Sequence, residues 1–168
     1  MKSDVYYFHQ TPEELAKVLI SKVPIEDGDV IYEPFKGEGA FYNNFPVNTH
    51  KLYTEIEEGL DFRNMNEEYD WVITNPPFRL QIDETKRVNS FFYILDYYYS
   101  KVKKGIALLT NDKCFSSLTP LRLKKLNDSG LYIHNIIVCN VKKWRGRYFF
   151  IIFKKEPCSM FNYILGSF

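Results

Sequence analysis

Short apolar runs separated by segments with helical spacing constrain the fold of this chain more than any other feature. Each apolar run is compact and bounded by polar or turn residues, which predicts buried strands over 30–32, 51–54, 71–74 and 104–110. Helical segments are predicted over 15–21, 40–44, 88–102 and 121–126, the last ending at Gly130. Strands that alternate with helical crossovers pair in parallel, so we expect a doubly wound α/β fold with helices on both faces.

Both ends of this pattern carry further signals. Thr11 precedes Pro12 and two acids, which is typical of an N-cap followed by proline in the first helical turn. Two β-rich runs close the pattern at 131–141 and 147–154, and the short basic turn between them predicts an antiparallel pair.

Length and composition predict one domain over residues 1–168. The sequence has no internal repeat and no Pro/Gly/Ser-rich linker, and its length suits a single core. No apolar run reaches the roughly 18 residues that a membrane span needs, and no signal pattern is present, so we expect a cytoplasmic or nuclear protein. Cys114, Cys139 and Cys158 lack the spacing of a disulfide framework or a zinc site. The three histidines, at positions 9, 50 and 134, lack metal-ligand spacing, so no metal is expected.

Charge is distributed unevenly along the chain. Residues 1–84 carry a net charge of −10 and residues 85–168 one of +11, although the whole chain is near neutral at +1. This asymmetry indicates either two solvated faces or a basic surface for phosphate groups.

Two acidic loops follow the first two predicted strands. After the first strand, Glu33 begins a turn in which Gly37 and Gly39 allow the backbone to approach a ligand closely. Glu55 ends the second strand, where an acid commonly accepts from ribose hydroxyls, although it is also one of several neighbouring surface acids. Asp61 and Phe62 follow, and an acid beside a ring suits a purine. We expect Glu33, Glu55 and Asn75 to lie along one edge of the sheet.

Asn75-Pro76-Pro77-Phe78 is the most specific motif in the chain. Two prolines directly after a buried strand stiffen the loop and remove two N–H donors. The amide oxygen of Asn75 and the carbonyl of Pro76 are then placed to accept both hydrogens of an aromatic amine, with the Phe78 ring against the base. The alternative interpretation is a strand that simply ends at two prolines.

The order of these motifs resembles the amino-group N6-adenine methyltransferases. The resemblance rests on Tyr7-Phe8-His9-Gln10-Thr11-Pro12, Glu33-Pro34-x-x-Gly37-x-Gly39, Glu55, Asp61-Phe62 and Asn75-Pro76-Pro77-Phe78, and it covers about half of the chain. It implies a Rossmann-like methyltransferase sheet with a final antiparallel strand, and S-adenosylmethionine as the cofactor. The residues that would bind the cofactor are Gln10, Thr11, Glu33, Pro34, Gly37, Gly39, Glu55, Asp61 and Phe62. The target adenine would lie against Asn75, Pro76, Pro77 and Phe78, where orientation rather than a strong base promotes attack.

The resemblance leaves the substrate and its recognition open. Members that recognise a DNA sequence usually carry a target-recognition domain, for which this chain has no room, so specificity comes from another subunit or from substrate shape. The same Asn-Pro-Pro loop occurs in protein-glutamine methyltransferases, though more often ending in Tyr than in Phe. A non-catalytic relative that acts as a binding subunit is the third alternative.

The turn between the last two predicted strands is the candidate contact for nucleic acid. It contains four cations and one indole, a composition suited to phosphate contact and base stacking. The plainer interpretation is a soluble hairpin tip. Its residues are Lys142, Lys143, Trp144, Arg145 and Arg147.

Overall fold

A six-stranded sheet forms the centre of the protein. The computed structural model describes residues 10–142, 144–158 and 164. Its strands are β1 (Val30–Glu33), β2 (His50–Tyr53), β3 (Tyr69–Thr74), β4 (Arg79–Gln81), β5 (Arg87–Asn89), β6 (Val102–Asn111), β7 (Tyr132–Cys139) and β8 (Tyr148–Lys154). Six of them form the main sheet in the order β2-β1-β3-β6-β8-β7, and β4 and β5 form a separate hairpin.

Strand direction in the main sheet confirms the predicted fold class. β2, β1, β3 and β6 pair in parallel, and β8 is antiparallel to both β6 and β7. Because β7 and β6 each pair antiparallel with β8, they run in the same direction. The carboxyl ends of β1, β2, β3, β6 and β7 therefore lie at one edge of the sheet.

Helices cover both faces of the sheet. They are α1 (Glu13–Ile20), α2 (Ser90–Tyr98), α3 (Asp112–Ser116) and α4 (Pro120–Asp128), with 3-10 turns at Tyr42–Asn44, Ile56–Glu58 and Phe62–Asn64. On one face α1 buries Ala16, Leu19 and Ile20. On the other face α2 and α4 pack in a second apolar cluster. Alternate strand residues supply the two cores, which follows from the two-residue period of a strand.

Three local predictions were wrong. The helix expected over 88–102 is α2, which begins at Ser90, because Arg87–Asn89 instead pairs with Arg79–Gln81. Pro12, and not Thr11, is the residue that precedes α1, and no side chain caps that helix. The helix expected over 40–44 is a single 3-10 turn at Tyr42–Asn44.

On the opposite side of the sheet, where β1 and β3 begin, the structure is organised around Trp71. Its ring is fully buried and its Nε1 donates to the Asp29 carboxylate at 3.0 Å. The neighbouring strand passes this ring at Gly105, where a Cβ would lie 2.6 Å from the Trp71 ring and 2.1 Å from the Phe153 carbonyl oxygen. Only glycine fits at position 105 without a displacement of the backbone.

The described residues also show the state of the cysteines and whether they include metal sites or membrane-spanning helices. Cys114, Cys139 and Cys158 are free thiols. Within the described ranges, no group of three or more His, Cys, Asp or Glu side chains has the arrangement of a metal site. None of the helices in those ranges combines the length and hydropathy required to cross a bilayer.

Candidate functional site

A cavity of about 550 Å³ opens where β1, β2 and β3 end. This volume suits a small organic ligand, since ligand pockets commonly measure about 300–1,000 Å³. The structure brings Glu33, Glu55 and Asn75 together along it, as expected for one edge of a parallel sheet. The predicted residues that line it are Gln10, Thr11, Glu33, Pro34, Gly37, Glu55, Asp61, Phe62, Asn75, Pro76, Pro77 and Phe78.

The loops after β1 and β2 are joined by the Glu55 carboxylate. Its Oε2 accepts from the Gly37 N–H at 2.6 Å, and its Oε1 accepts from the Glu57 N–H at 3.2 Å. Gly37 has a φ of +51°, a conformation that residues with a Cβ rarely adopt. Each carboxylate oxygen has a second lone pair, so Glu55 can also accept from hydroxyls in the cavity.

Glu33 is the most deeply buried acid of the site. It is 2% exposed, and its Oε2 accepts from the Tyr42 N–H at 2.8 Å. Burial raises the pKa of Glu33 well above its usual value, and the nearby charge of Glu55 raises it further. A buried acid that, among the described residues, accepts from one backbone N–H is suited to a cationic ligand group, which would compensate the charge that burial disfavours.

Asp61 carries the third carboxylate of the cavity and is held by Arg63. The guanidinium donates to both carboxylate oxygens, through Nε at 2.9 and 3.0 Å and through Nη2 at 2.5 Å. This hydrogen bonding lowers the pKa of Asp61. Asp61 is therefore an ionised acceptor whose orientation is fixed by its neighbour two residues along the chain.

Aromatic rings form the apolar wall of the cavity beside Asp61. Phe35 and Phe62 lie with ring centroids 5.1 Å apart, and both are half-buried. Phe62 also packs edge-on against Tyr97 on α2 at 5.5 Å. The site thus combines flat apolar surface with an acid, which suits a purine with an exocyclic amine.

The loop after β3 enters the cavity with its amide oriented. Asn75 donates an Nδ2 hydrogen to Thr11 Oγ1 at 3.1 Å, and the Thr11 side chain is buried. Because the nitrogen of the amide is directed at Thr11, the oxygen Oδ1 is its accepting group at this end of β3. Pro76 is buried directly behind it, which stiffens the loop.

Aromatic contacts connect Phe78 to the turn between β7 and β8. The ring centroids of Phe78 and the buried Tyr148 are 6.5 Å apart, and those of Tyr148 and Trp144 are 4.5 Å apart. The Trp144 indole, predicted as a stacking surface of the turn, is half-buried because Tyr148 and the apolar core cover one side of it.

The basic turn lies outside the cavity but on the same edge of the sheet. Cys139 and Asn111 are both opposite Tyr148 in the register, so the turn is next to the end of β6. The Asp112 N–H donates to the Arg147 carbonyl at 3.1 Å and fixes this position. Lys142, Arg145 and Arg147 are exposed, and Lys143 lies outside the described residues, as do Tyr7, Phe8 and His9.

One predicted residue has a different setting. Gly39 does not line the cavity; it is buried beside the Asn43 side chain, with a φ of +85° that turns the chain toward the 3-10 helix. Sequence reasoning also missed several lining residues: Phe35, Lys36, Arg63, Arg79, Gln81 and Arg87. Phe35 and Lys36 lie inside the recognised loop, so their position was a usable signal. The others are placed by the β4–β5 hairpin and by the ion pair between Arg63 and Asp61, and no sequence motif predicts either of them.

Solved structures share this architecture. A Listeria monocytogenes protein assigned to the class I S-adenosylmethionine-dependent methyltransferases superposes with a TM-score of 0.70, at 17% identity, over 95% of this chain and 65% of that one. The fold is that of the class I methyltransferases. The chain spans slightly less than two thirds of the length of the Listeria protein.

Two other solved structures with this fold are methyltransferases of unlike kinds. The methyltransferase subunit of a type I restriction-modification system from Streptococcus thermophilus matches with a TM-score of 0.61 at 16% identity, over 88% of this chain and 44% of that chain. Magnesium protoporphyrin IX methyltransferase from Synechocystis PCC 6803, solved with bound S-adenosylmethionine, matches with a TM-score of 0.59 at 11% identity, over 86% of this chain and 77% of that chain. The fold alone therefore does not assign a substrate.

Sequence comparison adds little to the structural likeness. No protein-family model matches the chain. A curated relative, the lipoprotein-releasing system transmembrane protein LolC of Buchnera aphidicola subsp. Schizaphis graminum, is 34% identical over 89 residues, which is 51% of this chain and 22% of that protein. The chain spans about a fifth of that relative, so the match assigns no activity to it.

Proposed function

We propose that this chain binds S-adenosylmethionine and transfers its methyl group to the exocyclic N6 amino group of an adenine in DNA or RNA. One observation carries the proposal: the Asn75–Phe78 loop, with its amide oriented by Thr11, opens into the same cavity as the carboxylates of Glu33, Glu55 and Asp61. An acceptor site for an amine is thus adjacent to a site whose carboxylates can accept from the ammonium, hydroxyl and amine donors of an adenosyl amino acid.

The chemistry of the cavity fits the cofactor. The buried Glu33 suits the ammonium of its methionine part, and Gln10 and Gly37, which lie beside each other, also line the cavity. Glu55 has the lone pairs to accept from a ribose diol. Asp61 accepts from the adenine amine, with Phe35 and Phe62 against the purine ring.

The chain's own residues hold and polarise the target amine. When bound, the cofactor supplies a methyl group that its sulfonium charge already activates. Asn75 Oδ1 accepts one amino hydrogen and the Pro76 carbonyl accepts the other, which weakens conjugation of the nitrogen with the ring and exposes its lone pair. Phe78 packs on the base and fixes the direction of attack.

Proton transfer requires no strong base in this arrangement. Transfer of the methyl group would break its bond to sulfur as the N–C bond forms, so the sulfonium would become a neutral thioether and the amine would become cationic. The amine then loses one proton to solvent. The two carbonyl acceptors of Asn75 and Pro76 stabilise that positive charge while it exists. The mechanism therefore depends on geometry, which is consistent with a stiff proline-rich loop.

Nucleic acid is supported as the substrate by the surface around Phe78. The exposed cations Lys142, Arg145 and Arg147 lie on the same edge of the sheet, and the ring contacts through Tyr148 connect their turn to Phe78. Cations beside a stacking ring suit phosphates flanking a base. A peptide glutamine would gain little from this charge.

We further propose that residues 1–168 act as one methyltransferase unit, with target choice made by a separate subunit or by substrate shape. A subunit of a type I restriction-modification system is among the proteins of similar fold. This chain covers 44% of that subunit, which leaves room there for regions that this chain does not match.

Transfer of labelled methyl to separate pools of DNA, RNA and protein tests the proposed function. Label should enter a nucleic acid pool, and nuclease digestion should release it as N6-methyladenosine or its deoxy form. Label in protein as N5-methylglutamine would instead identify a glutamine methyltransferase. Calorimetry completes the test, because a chain that binds no S-adenosylmethionine and transfers no label is a non-catalytic relative.

A further inference from the structure

The β4–β5 hairpin follows Phe78 directly and has one buried and one outward face. Leu80 is 7% exposed and lies opposite Val88 in the register, and both pack with the core. Because side chains alternate along a strand, Arg79 and Gln81 share the outward face. Arg87 lies opposite Gln81 on that same face. All three outward residues line the cavity.

Internal hydrogen bonds hold this hairpin in a fixed shape. At its tip the Asp83 carboxylate accepts from the N–H groups of Thr85 at 2.9 Å and Lys86 at 2.8 Å. At its base the Ser90 N–H donates to the Phe78 carbonyl at 3.3 Å. Arg63 Nη1 donates to the Ile82 carbonyl at 3.3 Å, which ties the hairpin to the Asp61 loop.

Two exposed guanidiniums, those of Arg79 and Arg87, lie on the outward face of the hairpin. In the part of the chain that the structure describes, neither Arg79 nor Arg87 belongs to an ion pair, whereas Arg63 nearby is paired with Asp61. Arg87 Nε donates to Gln81 Oε1 at 2.7 Å, which orients the remaining guanidinium donors. Oriented guanidiniums bind phosphate oxygens in a bidentate manner.

We infer that Arg79 and Arg87 bind a backbone phosphate beside the target adenine, so that the hairpin holds the nucleic acid strand while Phe78 and Asn75 hold the base. This inference rests on the proposed function. Arg79 is the residue after Phe78, which places the guanidinium within one nucleotide's reach of the base. The basic turn is linked to Phe78 through the ring of Tyr148, so a second cationic element also neighbours the base site.

Salt-dependent binding of a labelled single-stranded oligonucleotide that contains one adenine tests the inference. We expect the double substitution Arg79→Gln/Arg87→Gln to flatten the slope of log affinity against log salt by about 0.7 per lost phosphate contact. The matched control is Lys17→Gln/Lys22→Gln, which removes two exposed cations from the α1 region outside the cavity. The control should keep the wild-type slope, and thermal melting should show that both variants fold.

An oligonucleotide with an uncharged methylphosphonate linkage next to the adenine localises the contact. Wild type should bind it about three-fold or more weakly than the normal strand, and the Arg79→Gln/Arg87→Gln variant should bind both strands equally, as a double-mutant cycle requires for a direct pair. S-adenosylmethionine affinity should be the same in wild type and variant. A fall in that affinity would mean that the arginines bind the cofactor's carboxylate, and it would overturn the inference.

The failure of the hairpin contact and the failure of the proposed function give different results. If wild type methylates adenine but the arginine variant keeps its slope and its discrimination against the neutral linkage, the hairpin contact is wrong and the function stands. If wild type neither binds the oligonucleotide at low salt nor methylates it, both proposals are overturned together.

Discussion

The side-chain amide of Asn75 donates to the hydroxyl of Thr11 across 3.1 Å, which joins the loop after β3 to the segment that enters α1. The two residues are 64 positions apart in the sequence. A residue of the proposed cofactor site thereby orients the proposed acceptor for the target amine, and we expect this hydrogen bond to couple binding of the cofactor to binding of the amine.

Removal of the Thr11 hydroxyl should misorient Asn75. We expect Thr11→Val to slow single-turnover methyl transfer by about 10- to 100-fold, since small misplacements of a catalytic group have effects of this size. Thr11→Ser keeps the hydroxyl and should restore most of the rate. If Val and Ser variants transfer methyl equally fast, the hydroxyl does not position Asn75.

Glu33 should make stability depend on pH in a specific direction. Burial raises the pKa of Glu33, so the folded protein keeps a proton that the unfolded chain releases. Stability should therefore fall as the pH rises from the usual carboxyl range toward the raised pKa, and then level off. Glu33→Gln should remove this component, whereas the exposed Glu57→Gln should not. Urea midpoints across pH measure it, and parallel curves for wild type and Glu33→Gln would contradict the assignment.

Asp61 should contribute to cofactor affinity without contributing to chemistry. Asp61→Ala leaves the donor of a bound adenine without its acceptor, which typically costs about 1–3 kcal/mol. Calorimetry with S-adenosylmethionine measures this loss, and the exposed Glu67→Ala serves as the charge-matched control. Unchanged affinity in Asp61→Ala would remove this residue from the adenosine pocket.

Gly105 of β6, which lies against the Trp71 ring, should not tolerate an added methyl group. A Cβ at Gly105 would lie 2.1 Å from the Phe153 carbonyl oxygen, so Gly105→Ala should destabilise the fold by about 3 kcal/mol or more. Gly28→Ala is the comparison, because a Cβ there would have no atom within 4 Å. Only the φ of +85° opposes that substitution, which should lower the free energy of unfolding by about 1–2 kcal/mol. Denaturant unfolding of both variants gives the difference. Similar losses at the two sites would show that β6 relaxes around the added methyl.

The sheet and the loops at its edge were predictable because their signals are local. The runs that became β1 and β3 are buried on both faces and end at Glu33 and Thr74, so their apolar character is continuous and their ends are abrupt. Glu33, Glu55 and Asn75 follow strand ends directly, and parallel pairing brings such positions together.

The missed features depend on contacts between distant or very short elements. Strands of three residues, such as Arg79–Gln81, show too little alternation to be recognised, and the apolar Val88 fits the spacing of the following helix equally well. The ion pair between Arg63 and Asp61 depends on the side-chain rotamers of both residues, which their spacing in the sequence does not reveal. The burial of Trp144 depends on Tyr148, which is held by its strand neighbours.

The central claim is that Asn75 holds the amine that receives the methyl group, and single-turnover transfer by Asn75→Ala tests it most directly. The measurement uses excess enzyme and an adenine-containing oligonucleotide, with cofactor affinity and thermal stability recorded on the same samples. We predict a rate about 100-fold or more below wild type, because one acceptor is lost from a preorganised site, with affinity and stability little changed. Near wild-type transfer, or a loss that only follows unfolding, would contradict the account.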